Sequence, residues 1–153
     1  MREILATAIL GGIILTGAAN AKDGLELSIG VGQESETSDK LVNIGYAAYL
    51  NNETARIGLG LNGSFSDQDN PYVDALFYLG FKHKQVNIEA IGGVSMSSVG
   101  NEEVAGTTFG GKVGYAINDN HKFEAVYLTS KMEDANDVAY DRKRTNINYV
   151  YSY

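Results

Sequence analysis

Two histidines, His83 and His121, are the only imidazole groups in the chain, and there is no cysteine. A hydrolytic site of the serine–histidine type needs a histidine beside a serine and a carboxylate on one face of the fold. Both histidines fall in short polar breaks between segments of alternating polarity, away from such a face. No thiol nucleophile is available either. The sequence therefore predicts no catalytic residues and a protein that is not an enzyme.

Acidic residues are the other groups that could do chemistry. Glu102 and Glu103 are adjacent, but they fall in a polar break, where a solvated loop explains them better than acid–base catalysis. The spacing of the acidic residues does not match the calcium loop of an EF-hand. The glycine pairs at 92–93 and 110–111 lack the lysine and hydroxyl residue of a phosphate-binding loop. We predict neither a metal site nor a cofactor.

The composition limits the class of partner. The chain has 153 residues and a formal net charge of −7, and it contains 18 glycines and one proline. Phosphate backbones are bound by basic clusters, so an acidic chain is not expected to bind nucleic acid. Without cysteine, no disulfide framework holds the fold.

The first 21 residues have the pattern of a secretory signal peptide. Arg2 supplies a positive charge, an uncharged apolar run follows, and Ala19 and Ala21 form a small-x-small cleavage site. An apolar run of about a dozen residues is shorter than the roughly 20 that a membrane-spanning helix needs. We therefore predict a cleaved signal peptide at 1–21 and one folded domain at 22–153.

The rest of the chain consists of segments about ten residues long in which apolar and polar residues alternate. A period of two is typical of strands, and no segment after the signal shows a sustained helical period. The predicted strands are 24–32, 41–50, 55–65, 72–82, 86–96, 107–117, 122–130 and 145–153. Alternating segments of this length and even number are typical of a membrane barrel. We predict an all-β fold, an eight-stranded antiparallel up-and-down transmembrane β-barrel.

The breaks between these strands alternate in length. The long breaks are 33–40, 66–71, 97–106 and 131–144, and the short ones are 51–54, 83–85 and 118–121. Membrane barrels have long extracellular loops and short periplasmic turns. The alternation places both termini at the short-turn end, in the periplasm.

The polar face of the strands carries charged residues that need partners if that face is inside. Eight strands enclose an interior just wide enough to be filled by side chains, and buried charges are paired. We predict a barrel-interior polar network of Glu26, Arg56, Asp74, Lys82, Glu89, Lys112 and Glu124. In this hypothesis Arg56 and Lys112 bridge among the acids. The alternative is a soluble, lipocalin-like barrel, in which the same charges lie on the solvated outer face.

The chain ends on an aromatic strand. Tyr149, Tyr151 and Tyr153 alternate with smaller residues, and tyrosine is favoured at the membrane–water boundary. With Asn146, these residues resemble the C-terminal recognition signal of bacterial outer-membrane barrels, although Asn148 stands where that signal has glycine. The resemblance implies the barrel-assembly machinery as a partner.

These features together resemble the small eight-stranded bacterial outer-membrane barrels, the family of OmpX, the OmpA membrane domain, Ail and Opa. The resemblance extends from Gly24 to Tyr153 and rests on architecture, charge placement and the C-terminal signal. It implies a location in the bacterial outer membrane and a role in surface adhesion, resistance to host defence or membrane stabilisation. Such roles depend on variable loops.

The basic run Arg142, Lys143 and Arg144 lies at the outer end of the last predicted strand, where it could contact lipopolysaccharide phosphates. An ordinary charged rim explains it equally well. The four long breaks are the expected sites for a surface ligand. We therefore predict a non-enzymatic barrel with acidic surface loops and a structural or adhesive role. The alternatives are a small pore, a lipid-modifying enzyme and a lipocalin-like carrier.

Overall fold

The computed structural model describes residues 24–66, 71–99 and 102–153. The predicted signal peptide at 1–21 lies outside these residues. The strands are β1 (Leu25–Glu34), β2 (Lys40–Asn51), β3 (Ala55–Ser66), β4 (Tyr72–His83), β5 (Val86–Val99), β6 (Glu102–Ala116), β7 (His121–Glu133) and β8 (Ala139–Ser152). Within the described ranges, no helix is long and apolar enough to cross a membrane.

The eight strands form one closed barrel in chain order, and every neighbouring pair is antiparallel. The barrel is closed by β1 and β8, which pair from Glu26 opposite Ser152 to Glu34 opposite Arg144. The predicted fold class is therefore confirmed.

The strands are staggered around the barrel. A path along paired residues leaves β2 at Leu41, passes through Gly32, Asn146, Val126, Lys112, Glu89, Gly80 and Arg56, and returns to β2 at Asn51. One circuit therefore descends by ten residues, from 41 to 51, towards the short-turn end. For eight strands this stagger corresponds to a tilt of about 40° from the barrel axis.

The outer face is apolar and the interior is largely polar. Large side chains such as Phe81, at 71% exposure, and Val31, at 65%, point outward from the strands. Glu89, Asp74 and Arg144, in contrast, are buried inside the barrel. An apolar patch of this extent is unsuited to water and suited to lipid. The inside–outside arrangement is therefore that of a transmembrane barrel and not of a soluble carrier.

Asparagine side chains shape two of the short turns. The Asn52 Oδ1 atom accepts hydrogen bonds from the backbone N–H groups of Thr54 and Ala55. Asn118 does the same for Asn120 and His121. A side-chain oxygen that binds the backbone two or three residues on stabilises a tight turn, which explains why these connections are short.

The strands at the long-loop end extend further than the sequence pattern predicts. The pairing of β5 with β6 continues to Val99 opposite Glu102, and that of β7 with β8 continues to Glu133 opposite Ala139. The prediction of loops over 97–106 and 131–144 is therefore wrong for most of their residues. Outside the apolar belt the outer face need not be apolar, so the period-two signal disappears while the hydrogen-bonded strands continue.

Candidate functional site

Six charged side chains form a closed ring inside the barrel near the short-turn end. They point inward from β1, β3, β5, β6 and β7, and acids and bases alternate around the ring in the order Glu26, Arg56, Glu89, Lys112, Glu124 and Lys122. All six are buried. Each base therefore contacts two acids, each acid contacts two bases, and the ring carries no net charge.

The contacts around the ring are short. Arg56 lies 2.7 Å from Glu26 and 3.3 Å from Glu89. The Lys112 ammonium lies 3.4 Å from Glu89 and 3.1 Å from Glu124. Lys122 closes the ring at 2.7 Å from both Glu124 and Glu26. The contacts of Arg56 and Lys122 with Glu26, both at 2.7 Å, are charge-assisted hydrogen bonds of the strong kind. The longer ion pairs to Glu89 add Coulomb attraction, and together these contacts offset part of the cost of burial.

Tyr49 of β2 lies against this ring. Its hydroxyl donates a hydrogen bond to Glu89 at 3.0 Å and accepts one from the Lys112 ammonium at 2.7 Å. The Arg56 guanidinium stacks 4.1 Å above the centre of the Tyr49 ring. A second tyrosine, Tyr78, has the Lys112 ammonium 4.5 Å from its ring centre. The two aromatic rings thus stabilise the bases of the ring by cation–π contacts.

An apolar layer lies next to the charged ring, farther from the short turns. It is a buried cluster of Ala47, Tyr49, Leu76, Tyr78, Ile91, Val126 and Leu128. Val126 and Leu128 share the inward face of β7 with Glu124, which is why the alternation of that strand is poor in the sequence. The interior therefore has an apolar layer that the predicted charged plug did not include.

A second polar cluster lies beyond the apolar layer, towards the long-loop end. Arg144 of β8 donates two hydrogen bonds to the Asp74 carboxylate of β4, both at 2.9 Å. Arg144 also donates to the Ser95 and Ser130 hydroxyls, at 3.2 and 3.0 Å. Asn62 donates to Asp74 at 3.0 Å. One bidentate ion pair is thus held among neutral hydroxyl and amide groups.

A third pair lies at the outer mouth of the barrel. The Glu34 carboxylate accepts hydrogen bonds from Arg142 at 2.6 Å and from the Tyr72 hydroxyl at 2.7 Å. Tyr72 packs with Val104 and Met132 in a small apolar cluster. The outer end of the barrel therefore also contains paired polar side chains and packed apolar ones.

Two cavities interrupt this filling. A chamber of about 40 Å³ lies beside the apolar layer, bounded by Leu76 and Val126 of that layer, by Lys112 and Glu124 of the ring, and by Asn146 of β8. A polar vestibule of about 530 Å³ opens at the short-turn end, with Glu26, Arg56 and Lys122 in its lining. The vestibule gives the ring a polar neighbour on one side, while the apolar layer covers the other.

The seven residues predicted for the interior network do not all meet. Arg56 contacts Glu26 and Glu89, and Lys112 contacts Glu89 and Glu124, as the bridging hypothesis supposed. Asp74 instead pairs with Arg144 in the second cluster. Lys82 is exposed at the mouth of the vestibule, so its assignment to the network is wrong. By its position in the alternation of β4, Lys82 is on the inward side. It lies near the end of the strand, however, beyond the packed interior.

The basic run of β8 is split between the two faces. Arg144 is buried against Asp74 and Arg142 is largely buried against Glu34, while Lys143 alone is exposed. The prediction that all three contact lipopolysaccharide is therefore wrong for both arginines. The period of two continues through this run because it belongs to β8 and not to a loop.

Several residues of the interior were missed by the sequence analysis. Lys122 completes the charged ring, Tyr49 binds two of its members, and Glu34 pairs at the outer mouth. Lys122 could have been found from the sequence, because it lies two residues before Glu124 and so points to the same, inward side of β7. For Tyr49 the signal was its position six residues after Asn43: an even spacing along a strand places both residues on the same, polar face.

The C-terminal residues divide between interior and surface. Asn146 is buried, and a Cβ atom added to Gly32 opposite it would lie 2.0 Å from its side-chain oxygen. Tyr149, Tyr151 and Tyr153 are exposed on the outer face. The His121 ring stacks on that of Tyr149 at 5.8 Å and contacts Tyr151 at 5.3 Å. These tyrosines therefore belong to an aromatic group at the short-turn boundary of the apolar belt.

Catalytic groups do not converge in the described ranges. His83 is exposed at the last position of β4, and the Nδ1 atom of His121, the first residue of β7, is hydrogen-bonded to the Tyr149 hydroxyl. No group of three or more metal-ligating side chains comes together among the residues that the structure describes. The buried charges are arranged to satisfy one another, which is an arrangement for filling a barrel.

Solved structures share this fold. The N-terminal β-barrel domain of Pseudomonas aeruginosa OprF is 7% identical with a TM-score of 0.65, covering 85% of this chain and 97% of that domain. Ail, the attachment invasion locus protein of Yersinia pestis, is 14% identical with a TM-score of 0.63, covering 85% and 98%. The outer membrane enzyme PagL is 13% identical with a TM-score of 0.52, covering 83% and 97%.

No family model and no curated protein matches the sequence. At identities of 7 to 14% the structural likeness establishes the fold alone. The resemblance inferred from the sequence is confirmed at that level: the chain has the fold of the small eight-stranded transmembrane β-barrels.

Proposed function

We propose that this chain is a non-enzymatic barrel of the bacterial outer membrane, closed to solutes, with a structural or adhesive role at the cell surface. The apolar outer face, with residues such as Ile88 at 58% exposure, supports the membrane location. The likeness to Ail and the OprF barrel domain supports the outer membrane in particular. The exposure of Tyr149, Tyr151 and Tyr153 supports the barrel-assembly machinery as a partner.

The observation that carries the proposal is the filling of the interior. The charged ring, the apolar layer and the Asp74–Arg144 pair follow one another along the axis, and their charges are neutralised within each level. The apolar layer comes from β2, β4, β5 and β7, and the gap beside it is the chamber of about 40 Å³, which is far too small for a wide aqueous lumen. The interior therefore serves stability, and the surfaces left for function are the outer rim and the lipid-facing belt.

The outer rim is acidic. Glu36, Glu102, Glu133, Asp137 and Asp141 are exposed at the long-loop end. If both termini lie in the periplasm, this rim faces the exterior of the cell. The name of Ail, the attachment invasion locus protein, associates one barrel of the same fold with attachment. A cationic surface ligand would be attracted to this rim of our chain in a salt-dependent way.

A small pore is the second candidate, and the vestibule favours it. This cavity of about 530 Å³ reaches from the short-turn end to the charged ring, so part of a path exists. The lipid-modifying enzyme has the likeness to PagL in its favour. Against it, the His121 ring contacts the outward Tyr149 and Tyr151, whereas the hydroxyl of the neighbouring Ser152 contacts Glu26 in the interior. The carrier is disfavoured, because the 40 Å³ chamber is far below the roughly 300 Å³ or more of a ligand pocket and the larger vestibule has a polar lining.

Refolding in detergent tests the barrel and its closure together. We expect heat-modifiable gel migration, strand-rich circular dichroism only with detergent, and no stable open level in planar bilayers. A folded protein in plain buffer would contradict the membrane barrel. A stable conductance that Leu128→Trp removes would favour the pore, because a larger side chain in the apolar layer would seal it.

Display on a bacterial surface tests the role of the rim. We expect cells with the barrel to bind cultured epithelial cells more than cells without it, and the variant with Glu133→Gln, Asp137→Asn and Asp141→Asn to lose this gain. Equal binding together with greater detergent sensitivity of cells lacking the barrel would indicate the structural role. No change in either measurement would contradict both. Lys84→Gln, at the other end, is the matched control.

A further inference from the structure

Three exposed lysines lie where the apolar belt ends at the long-loop side. Lys40, Lys131 and Lys143 occupy outward positions of β2, β7 and β8. On β2 the next outward residue towards the membrane is Val42, and on β8 the exposed Ile147 lies two outward positions below Lys143. The ammonium groups are therefore placed at the boundary between lipid tails and headgroups.

The register shows that the three lysines lie at the same level. Lys40 is paired through Gln33 with Thr145, and Thr145 is paired with Tyr127. This row descends by ten residues over eight strands, a little over one residue per strand. Thr145 is two strands from Lys40 along this row and therefore lies about two and a half residues lower; Lys143, two residues further out on β8, makes up that difference. Tyr127 is three strands from Lys40 and lies almost four residues lower; Lys131, four residues further out on β7, makes up that difference. The stagger of the barrel therefore brings all three to one height.

These lysines are grouped and unpaired. In the described part of the chain none of the three forms an ion pair, although Asp141 lies directly across from Lys131 in the register. On the opposite side of the barrel, the outward residues near this level are Phe65, Met96 and Ala105, which are uncharged. The positive charge is therefore confined to the surface formed by β7, β8, β1 and β2.

We propose that Lys40, Lys131 and Lys143 form a binding surface for the phosphate groups of lipopolysaccharide. The proposal rests on the proposed function, because it needs the long-loop end to face the outer leaflet. Lys131 and Lys143 are diagonal neighbours about 7–8 Å apart, and Lys40 lies two strands across and two residues along from Lys143, about 12 Å away. One phosphate cannot contact lysines spread this widely, whereas a headgroup that carries several phosphates can. This surface replaces the two buried arginines as the lipopolysaccharide contact.

Binding in detergent micelles tests the surface. The probes are purified lipopolysaccharide, the same lipopolysaccharide after removal of its phosphates, and phosphatidylglycerol. We expect the double variant Lys131→Gln, Lys143→Gln to bind lipopolysaccharide more weakly by about fivefold per lysine, and Lys40→Gln to add a further loss. The matched control, Lys82→Gln with Lys84→Gln at the short-turn end, is expected to bind like the unmodified barrel.

The outcomes separate this proposal from the function on which it rests. Equal losses with lipopolysaccharide and with phosphatidylglycerol would overturn the assignment to lipopolysaccharide, as would equal losses in the control variant. Unchanged binding by the triple variant, folded with normal heat-modifiable migration, would overturn the surface and leave the membrane barrel intact. Folding in plain buffer without detergent would instead overturn the proposed function itself.

Discussion

The charged ring and the Asp74–Arg144 pair are two solutions to the same problem, that of holding charges inside a narrow barrel. In the ring each of six side chains contacts two partners of opposite charge. In the pair, among residues 24–66, 71–99 and 102–153, one arginine and one aspartate have only each other as charged partners, and neutral hydroxyls surround them. A ring residue that loses one ionic partner keeps a second, whereas Asp74 or Arg144 would keep none.

The two regions also differ in their access to water. The ring borders the vestibule through Glu26, Arg56 and Lys122. Asp74 and Arg144 have no exposed surface. A charge that loses its partner costs most where neither another partner nor water can reach it. The comparison therefore predicts that the barrel is more sensitive to substitutions in the pair than to substitutions in the ring.

Arg144→Met is expected to have the largest effect. It leaves Asp74 buried with hydroxyl and amide donors but no positive charge, which costs about 3–5 kcal/mol of unfolding free energy. Urea unfolding in lipid vesicles measures this loss. Arg144→Met combined with Asp74→Asn should recover much of it, because both charges are then absent.

Lys143→Met is the control on the same strand, one position away and exposed. We expect a change within about 0.5 kcal/mol for it. If Arg144→Met destabilised the barrel no more than Lys143→Met, the pair would not be the sensitive region and the comparison would fail.

Arg56→Met is expected to have a smaller effect, about 2 kcal/mol. Glu26 retains Lys122 and Glu89 retains Lys112, and the vestibule admits water to the opened position. The same urea titration gives the value. A loss as large as that of Arg144→Met would show that the ring acts as one unit without redundancy.

Lys82→Gln should have the smallest effect and serves as the control for the ring. Lys82 lines the same vestibule but forms no ion pair in the described ranges. We expect a change within about 0.5 kcal/mol. A loss comparable with that of Arg56→Met would restore Lys82 to the interior network from which its exposure removes it.

The sequence predicted the barrel because a lipid-facing strand must alternate. Ile29, Ile44 and Ile88 are outward and apolar as the period of two requires, and Glu26 and Glu89 are inward. The same physical demand explains the errors. Above the belt nothing forces the outer face to be apolar, so residues 139–144 looked like a loop although they continue β8.

The pairing inside the barrel could be predicted only in part. The alternation along a strand shows which face of the barrel a residue occupies, but not its position along the barrel axis. That axial position places Lys82 outside the packed interior and brings Asp74 to Arg144. The stagger of ten residues per circuit, which sets these heights, depends on the register of all eight strands. Apolar inward residues such as Val126 and Leu128 are indistinguishable by type from lipid-facing ones.

The ring of alternating charges also has a consequence for how the barrel assembles. Lys122 of β7 meets Glu26 of β1, and β1 comes beside β8, the strand that follows β7, only when the sheet closes. Before closure the two ends of the ring are apart, and the unmatched acid and base would resist entry into lipid. Closure joins them in the same step that removes the open edges of β1 and β8. Membrane insertion and charge neutralisation should therefore occur in one cooperative event, without a stable inserted sheet.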